Sequence, residues 1–434
     1  MQHETRVPVS SAQAGGPAVA KDRSRRRAWE IILIFGVVSL VGDVMYEGAR
    51  SVNAPFLALL GANAATVGFV AGLGEFLGYV VRLASGWFAD RSKAYWAFAL
   101  GGYAVLITVP LLALSGSWQL AALFIVLERF GKAVRAPSKD TILSAATRKV
   151  GTGVGFGLHQ AMDQLGALIG PLVFTLIFAI EAGHESELAA YRQGYTWLWI
   201  PFGLLAIALL VAFIRVPDPA KLEASVPKKW ESEKLSKTFW IYSTFTLVTT
   251  LGFIGWPILS FHYATTHLLS DGEIALYYAV AMGADGIMSV LIGFIYDRSK
   301  KRSGHDQGGL AVLLVIPLLS FTIPILGFGG TKWMALVAAI FWGLILGTHE
   351  TIMKSAIADI TPMHKRGTGY GVFNTVYGLA FFVSSTAMGF LYEAGHLGPI
   401  LLSIVAEILA LPLFFILWRV SSRSARSLKP QDPG

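Results

Sequence analysis

The sequence predicts an all-α polytopic membrane protein, with twelve transmembrane helices in two pseudo-symmetric six-helix bundles. Its 434 residues are 54% hydrophobic and only 14% charged, whereas soluble domains carry about 25% charged residues. The apolar residues form long runs divided by short polar breaks, and about 20 such residues are needed for one helix to cross a bilayer. Motifs in the first half of the chain also recur in the second half.

The apolar runs set the limits of twelve spans, which we number in chain order. The predicted spans are 30–60, 64–88, 94–115, 118–142, 152–180, 194–215, 238–266, 271–296, 308–328, 332–360, 367–392 and 396–419. The chain therefore divides into a disordered N-terminus (1–28), a first bundle (29–215), a charged linker (216–237), a second bundle (238–419) and a polar tail (420–434). The N-terminus is predicted to be disordered because it is polar and rich in Ser, Ala and Gly.

The basic residues indicate how the chain is oriented. If the N-terminus is cytoplasmic, 27 of the 35 Lys and Arg residues lie in cytoplasmic segments, two lie in outer loops and six lie within spans. This asymmetry follows the positive-inside rule and places both termini in the cytoplasm. The sequence pI near 9.5 therefore reflects topology and contact with anionic lipid headgroups, and we expect no nucleic-acid partner.

Two motifs recur in order in both halves of the chain. The sequence GWFADRSK (86–93) returns as GFIYDRSK (293–300), each time after the second span of its half. The sequence GFGLHQ (155–160) returns as GYGVFN (369–374), near the start of the fifth span of each half. The matches predict a duplication of six spans, and parallel repeats of this kind place a binding site at their interface near the bilayer midplane.

The repeated loop resembles the signature of the major facilitator superfamily, and the resemblance covers the chain after residue 28. The first copy departs from that signature at Lys93, where glycine is usual. A run at the end of span four, GKAVRAPSKD, resembles a bacterial subgroup with a G-K-x-x-R-x-x-P-[RK]-D pattern. The resemblance implies a transporter of the inner (plasma) membrane, monomeric, whose spans one, four, seven and ten line a central cavity.

The loop motif has a predicted gating role. Its glycines would let neighbouring helices approach closely, and its aspartates would meet the positive N-termini of helices in the opposite bundle. The alternative is that the motif is a tight basic turn that only sets topology. The gating residues are Gly86, Asp90, Arg91, Gly293, Asp297 and Arg298.

Charged residues within the spans are the strongest functional signal. Asp43, Glu47 and Arg50 share one face of span one, because steps of four and seven residues return to the same side of a helix. Span four carries a second charged stripe, from Glu128 to Lys139. A charge at the bilayer centre costs at least about 3 kcal/mol, so we expect these side chains to face a wet cavity and to pair with one another.

The acids slightly outnumber the bases in this set, which leaves one carboxylate to carry a proton. The proton-coupling candidates are Asp43, then Glu47, then Asp163. The alternative is that every acid is permanently paired and structural. The substrate-cavity candidates are Arg50, Glu75, Arg82, Glu128, Arg129, Lys132, Arg135, His159, Asp285, Glu350, Lys354 and Asn374.

Two pairs in this set have open interpretations. His159 and Asp163 share a helix face, and we expect a hydrogen-bonded pair there rather than a metal site. Glu350 and Lys354 are either a structural salt bridge or contacts for substrate. In span five, Gly166-x-x-x-Gly170-Pro171 resembles an antiporter motif of the superfamily, with close helix packing as the equal alternative.

These features predict a secondary active transporter that moves a small organic solute by alternating access, with proton-coupled export as the first reading. The alternative is proton-coupled uptake or exchange of a small organic anion, because span four carries a basic surplus that would hold a carboxylate or phosphate. A non-transporting sensor or scaffold is a third class. No hydrolase, zinc-protease or Walker-type motif is present in the sequence, so we expect no enzyme activity, no cofactor and no metal.

Overall fold

The computed structural model describes residues 17–181, 186–216, 235–303, 306–361 and 366–427. Its regular structure is helical throughout these ranges. The helices are α1 (Pro17–Leu59), α2 (Ala64–Ser92), α3 (Tyr95–Ala104), α4 (Thr108–Leu111), α5 (Trp118–Val150), α6 (Thr152–Glu181), α7 (Glu187–Trp197), α8 (Trp199–Arg215), α9 (Lys237–Gly252), α10 (Trp256–Thr265), α11 (Asp271–Ser303), α12 (Val315–Ser320), α13 (Thr322–Gly327), α14 (Lys332–Ile360), α15 (Arg366–Glu393) and α16 (Leu397–Ser427). Short 3₁₀ segments cover Val105–Ile107, Leu112–Leu114 and Asp306–Leu314.

The helices account for the predicted membrane spans. Eleven helical segments of the described chain are long and apolar enough to cross a bilayer. Helix α5 carries the charged stripe of span four, and its 33 residues extend about 50 Å. Large apolar side chains face outward, as on α8, where Ile207 is 61% and Ile214 is 64% exposed. A bilayer is the environment in which such a surface is stable.

The first helix begins earlier than the sequence predicted. Residues 17–28 were expected to be disordered, but they form the first turns of α1. Proline is favoured at the first position of a helix, and the Ala, Lys and Arg residues that follow Pro17 are strong helix formers. Residues 1–16, most of the predicted linker (217–234) and residues 428–434 lie outside the described residues.

Span seven, predicted as one continuous helix, is broken between α9 and α10. Gly252, Gly255 and Pro257 surround the break, and proline cannot supply the backbone N–H that a continuous helix needs. Side chains from other helices bind the freed carbonyls: Ser384 Oγ donates to Leu251 O at 3.0 Å, and Trp342 Nε1 donates to Ile254 O at 3.1 Å. Hydrogen bonds from other helices therefore stabilise the break.

Each half of the chain packs as a bundle, and the most extensive contacts between the halves join α2 to α15 and α6 to α11. In the first half α1 packs on α5, α6 and α8; in the second half α9 packs on α15 and α16, and α11 on α14. A Cβ added at Gly72 would lie 2.9 Å from Phe382 O. Glycine therefore sets the close approach of α2 and α15 at this position.

The structure corrects the reason given for the loop-motif glycines. A Cβ at Gly86 would lie 3.4 Å from Pro137, and one at Gly293 would lie 3.6 Å from Thr351. Both are ordinary van der Waals distances, so neither glycine is needed for a close helix contact. In contrast, Gly170 lies directly against α1, where an added Cβ would be 2.7 Å from Gly48 N. This contact favours the close-packing reading of the Gly166–Gly170 motif.

Candidate transport site

The charged side chains of the first bundle converge on one tyrosine. Tyr46 lies on α1 between the predicted acids and is 3% exposed. Lys132 Nζ lies 3.5 Å from the centre of its ring, and Arg129 Cζ lies 4.8 Å from it. Cations over a ring face are attracted by its quadrupole. We call the following set the Tyr46 cluster: Tyr46, Glu47, Arg50, Glu75, Glu128, Arg129 and Lys132.

Ion pairs connect three helices within the Tyr46 cluster. Glu75 of α2 accepts from Arg50 of α1 at 3.0 Å and lies 3.3 Å from Arg129 of α5. Arg50 also lies 3.6 Å from Glu47, and both guanidinium groups donate to the Tyr46 hydroxyl. The side chains of Arg50, Glu75 and Arg129 are only 17%, 18% and 13% exposed. Charges this buried are retained only when they are paired and hydrogen-bonded.

The Tyr46 cluster reaches the second bundle through Glu47. The Tyr278 hydroxyl of α11 donates to Glu47 Oε2 at 2.5 Å. Close by, Trp256 Nε1 of α10 donates to Ser51 O at 3.2 Å. A charge-assisted hydrogen bond between the bundles is short and strong, so the charged network is coupled to the relative position of the two halves.

A second group of polar side chains lies next to the Tyr46 cluster, where α1 packs on α6. The carboxyl groups of Asp43 and Asp163 are close enough to share a hydrogen bond, and both residues are half-buried. Lys139 Nζ donates to Ser39 Oγ at 3.0 Å, and Ser39 Oγ lies 2.9 Å from His159 Nε2. Two carboxyls can share a hydrogen bond only when one of them carries a proton. This carboxyl pair can therefore hold one exchangeable proton.

Electrostatic contacts link the carboxyl pair to the Tyr46 cluster. Lys132 interacts with both Asp43 and Glu47, while Lys139 interacts with Asp163. Protonation of the carboxyl pair removes a negative charge that faces these two lysines. The arrangement lets a proton on the pair alter the ion pairing of the whole network.

Asp285 joins the site from the second bundle. Gln164 of α6 donates to Asp285 Oδ2 at 3.0 Å and to Met282 O at 2.8 Å. A Cβ at Gly347 would lie 2.8 Å from Asp285 Oδ1, so the carboxylate is enclosed between α6, α11 and α14. Asp285 is 4% exposed. Like Tyr278, it connects the two bundles.

Three predicted cavity residues, Arg82, Glu350 and Asn374, make no hydrogen bond to the Tyr46 cluster within the described residues. Arg82 and Glu350 are exposed, and Glu350 interacts with Asp285 through space. Asn374 is half-buried on α15 and joins neither network. The side chain of Lys354 lies outside the described residues, so the predicted Glu350–Lys354 pair stays a prediction.

Arg135 is buried to 5% exposure and packs over the Tyr103 ring at 4.7 Å. Its Nη1 atom has no hydrogen-bond partner among the described residues. A buried guanidinium N–H without a partner is costly. Arg135 is therefore the position on α5 where an anion would satisfy a group that the protein leaves unsatisfied.

Comparison with known proteins identifies the family. Residues 32–385 match the model of the Major Facilitator Superfamily. The chain belongs to the major facilitator superfamily. It is a multi-pass membrane transporter, in agreement with the all-helical fold and the predicted absence of enzyme activity. The narrower bacterial subgroup indicated by span four stays a prediction.

Relatives and solved structures agree with this assignment. An uncharacterized protein of Mycobacterium tuberculosis is 36% identical over 419 residues, covering 94% of this chain and 96% of that protein. Multidrug resistance protein MdtH of Photorhabdus laumondii is 24% identical over 346 residues, covering 79% and 81%. The crystal structure of a bacterial homologue of the human lysosomal transporter Spinster, inward-facing and occupied, matches with a TM-score of 0.66 at 15% identity, covering 93% and 98%.

The superfamily gating motif lies on exposed surface. Asp90, Arg91, Asp297 and Arg298 are exposed, and the Arg91 guanidinium stacks over Trp87 at 5.3 Å. Residues 362–365, which precede the helix that Asp90 was predicted to meet, lie outside the described residues. The gating role of both copies therefore stays a prediction.

Sequence reasoning missed several residues of the site. Tyr46, Tyr278 and Gln164 were not singled out, although Tyr46 lies one helical turn from Arg50 and shares its face. That spacing was the available signal. Tyr278 and Gln164 had no local signal, because their partners belong to the other bundle. The inventory of membrane acids also omitted Glu407 on α16, which is 2% exposed.

Proposed function

We propose that this superfamily member is a proton-coupled secondary transporter that exports a small organic solute. The observation that carries the proposal is the proximity of the Asp43 and Asp163 carboxyl groups, which one proton could join through a shared hydrogen bond. The pair is half-buried, so water can reach it. Its position beside Lys132 couples its protonation to the Tyr46 cluster.

In the proposed cycle, protonation of the carboxyl pair frees Lys132 from Asp43 and lets it interact more strongly with Glu47. The hydrogen bond from Tyr278 to Glu47 competes for the same carboxylate. Loss of that bond weakens one connection between the bundles and favours the alternate conformation. A change in proton occupancy thereby biases which side of the membrane is open.

Export is the proposed direction because the chain resembles a multidrug resistance protein over most of its length. The proposed location is the plasma (inner) membrane of a bacterium, with both termini in the cytoplasm. The asymmetric distribution of Lys and Arg supports that orientation. The proposed protein is a monomer. Its two bundles (29–215 and 238–419) are joined by the linker at 216–237.

The test uses everted membrane vesicles that hold a respiration-driven pH gradient, monitored with a fluorescent amine. Ethidium and tetraphenylphosphonium are the lipophilic cation probes, and benzoate is the organic anion probe. An exported substrate that exchanges with protons dissipates the gradient in wild type. Asp43→Asn and Asp163→Asn are expected to abolish this dissipation. Glu30→Gln, which breaks the exposed pair with Arg215, is expected to leave it intact.

Two results would reject the proposal. Dissipation that persists in both asparagine variants would remove the carboxyl pair from coupling. Substrate movement that is independent of the pH gradient in wild type would remove proton coupling altogether.

The second candidate function is proton-coupled uptake or exchange of a small organic anion. The unpartnered Arg135 Nη1 supports it, because a carboxylate or phosphate would satisfy that group. The discriminating measurement is thermal stabilisation of the detergent-purified protein by benzoate and by phosphate. Stabilisation by either anion that disappears in Arg135→Gln favours the anion carrier, since a ligand that binds only the folded state raises Tm.

A further inference from the structure

A buried carboxylate outside the transport site has no cationic partner. Glu407 lies on α16 within the second bundle and is 2% exposed. Neither of its carboxylate oxygens makes a hydrogen bond to the described residues. Among the side chains that the structure describes, Ser320 on α12 is the one placed close enough to hydrogen-bond to it. An isolated carboxylate in a low-dielectric interior is very costly, so its charge must be neutralised by a proton or by a bound cation.

On the surrounding helices, the basic side chains that the structure describes all lie far from Glu407. Helix α16 packs on α9, α12, α13, α15 and the 3₁₀ segment Asp306–Leu314. Lys237 and Arg419, on α9 and α16, lie about four and three helical turns away along their helices. The other titratable groups on these elements whose side chains are described are Tyr242, Tyr370, Tyr377, Tyr392 and Glu393. None of these side chains interacts with Glu407.

Two buried serine hydroxyls are candidates to accompany the carboxylate of Glu407. The hydroxyls of Ser320 and Ser403 are fully buried, and each lacks a hydrogen-bond partner among the described residues. Ser403 lies one turn before Glu407 on α16 and therefore shares its face. With the two carboxylate oxygens, these hydroxyls make four buried oxygen atoms, and the described residues give none of them a well-aligned hydrogen bond.

The break in span seven completes this arrangement. Glu407 Oε1 lies beside Gly252, where an added Cβ would be only 2.8 Å away, so the absence of a side chain admits the carboxylate. Gly252 is the last residue of α9. The carboxyl end of a helix carries partial negative charge, and the carbonyls at the end of a broken membrane helix can coordinate a cation.

We propose that Glu407, Ser320 and Ser403 form, with the end of α9, a binding site for Na⁺. A single carboxylate is neutralised by one positive charge, whereas a divalent ion would leave an excess charge buried. The ligands are all oxygen atoms, which hard cations prefer. A proton on Glu407 is the alternative way to neutralise the charge, and the experiment below separates it from Na⁺.

The location gives the ion a structural consequence. It sits where α9 ends, and the other side of the break begins α10, which contacts the first bundle through Trp256. A bound ion stabilises the broken form of span seven and so holds α10 in place against α1. The site is separate from the Asp43–Asp163 pair, so it is independent of the proposed proton coupling.

The test measures the Tm of the purified full-length protein by tryptophan fluorescence while NaCl replaces choline chloride at constant ionic strength. Wild type is expected to show a Tm that rises with Na⁺ concentration as mass action requires. Glu407→Gln, which keeps the size of the side chain, is expected to abolish the rise. Ser320→Ala is expected to shift the midpoint to Na⁺ concentrations at least about tenfold higher.

Glu30→Gln is the matched control, because Glu30 forms an exposed pair with Arg215 and should retain the full response to Na⁺. The proposal is overturned if wild type has the same Tm in NaCl and choline chloride, or if the response persists in Glu407→Gln. A wild-type Tm that responds to pH but never to Na⁺ would identify a proton site and would also reject Na⁺. None of these results changes the expectation for Asp43 and Asp163 in the vesicle assay.

Discussion

Glu75 is the carboxylate on which the Tyr46 cluster depends most. It pairs with Arg50 at 3.0 Å and with Arg129 at 3.3 Å. Glu75→Gln leaves the shape of the side chain but removes the negative charge between two guanidinium groups. Breaking a buried ion pair by removing one partner costs about 3–5 kcal/mol. Because Glu75 keeps 18% exposure, we expect the lower end, about 3 kcal/mol.

This loss should be visible as a lower Tm of the detergent-purified protein, measured by tryptophan fluorescence. For domains of about 150–250 residues each kcal/mol shifts Tm by about 2–4 °C, so Glu75→Gln is expected to lower Tm by about 6–12 °C. The control is Glu30→Gln, which breaks the exposed pair with Arg215. Exposed pairs contribute about 0–1 kcal/mol, so the control should shift Tm by no more than about 4 °C.

A double variant separates lost charge from lost packing. In Glu75→Gln with Arg50→Gln, one unpaired cation is removed, and Arg129 keeps its contact with Glu128 at 3.6 Å. The double variant should therefore recover part of the stability lost in Glu75→Gln. The reasoning is refuted if Glu75→Gln is no worse than the Glu30→Gln control, or if the double variant is less stable than the sum of the two single changes.

Two further outcomes follow from the packing of the bundles. Gly102→Ala should lower Tm and the yield of monodisperse protein, because the added Cβ would lie 2.6–2.7 Å from backbone atoms of α5. Gly101 faces open space, so Gly101→Ala should leave both unchanged. Equal losses in the two variants would contradict this account. Glu393 accepts from two backbone N–H groups at the start of α2, at 2.6 and 3.3 Å. Glu393→Gln should weaken this contact between the bundles by about 1–2 kcal/mol. In a Ser385→Cys background, it should raise the rate of maleimide labelling from the outside about tenfold. An unchanged labelling rate would show that Glu393 does not hold the outer side closed.

The charged residues show how far sequence reasoning reached. Asp43, Glu47 and Arg50 were placed on one face of α1 by helical periodicity, and Glu47 and Arg50 do pair in the structure. The charged stripe of α5 was predicted to pair with that of α1, and Lys132 of that stripe does contact Tyr46. Periodicity succeeds here because residues three or four apart lie on the same side of a helix whatever surrounds it.

The same reasoning did not find the partners that belong to other elements. Gln164 binds Asp285, and Tyr278 binds Glu47, across the interface between the bundles. No local pattern marks either residue, because each contact depends on how two helices are rotated and shifted relative to each other. The break in span seven was equally hidden, since Ser384 and Trp342, which donate hydrogen bonds to carbonyls at the break, come from distant positions in the chain.

The sequence alone determined that this chain crosses a membrane many times, which family it resembles and which charged residues must avoid lipid. The physical reason is local. In a bilayer each helix satisfies its own backbone hydrogen bonds, so each span can be recognised from a continuous run of apolar residues. Only the tertiary structure decided which charges pair and which remain alone. Glu75 finds two arginines while Glu407 finds none, because burial and pairing are set by neighbours far away in the chain.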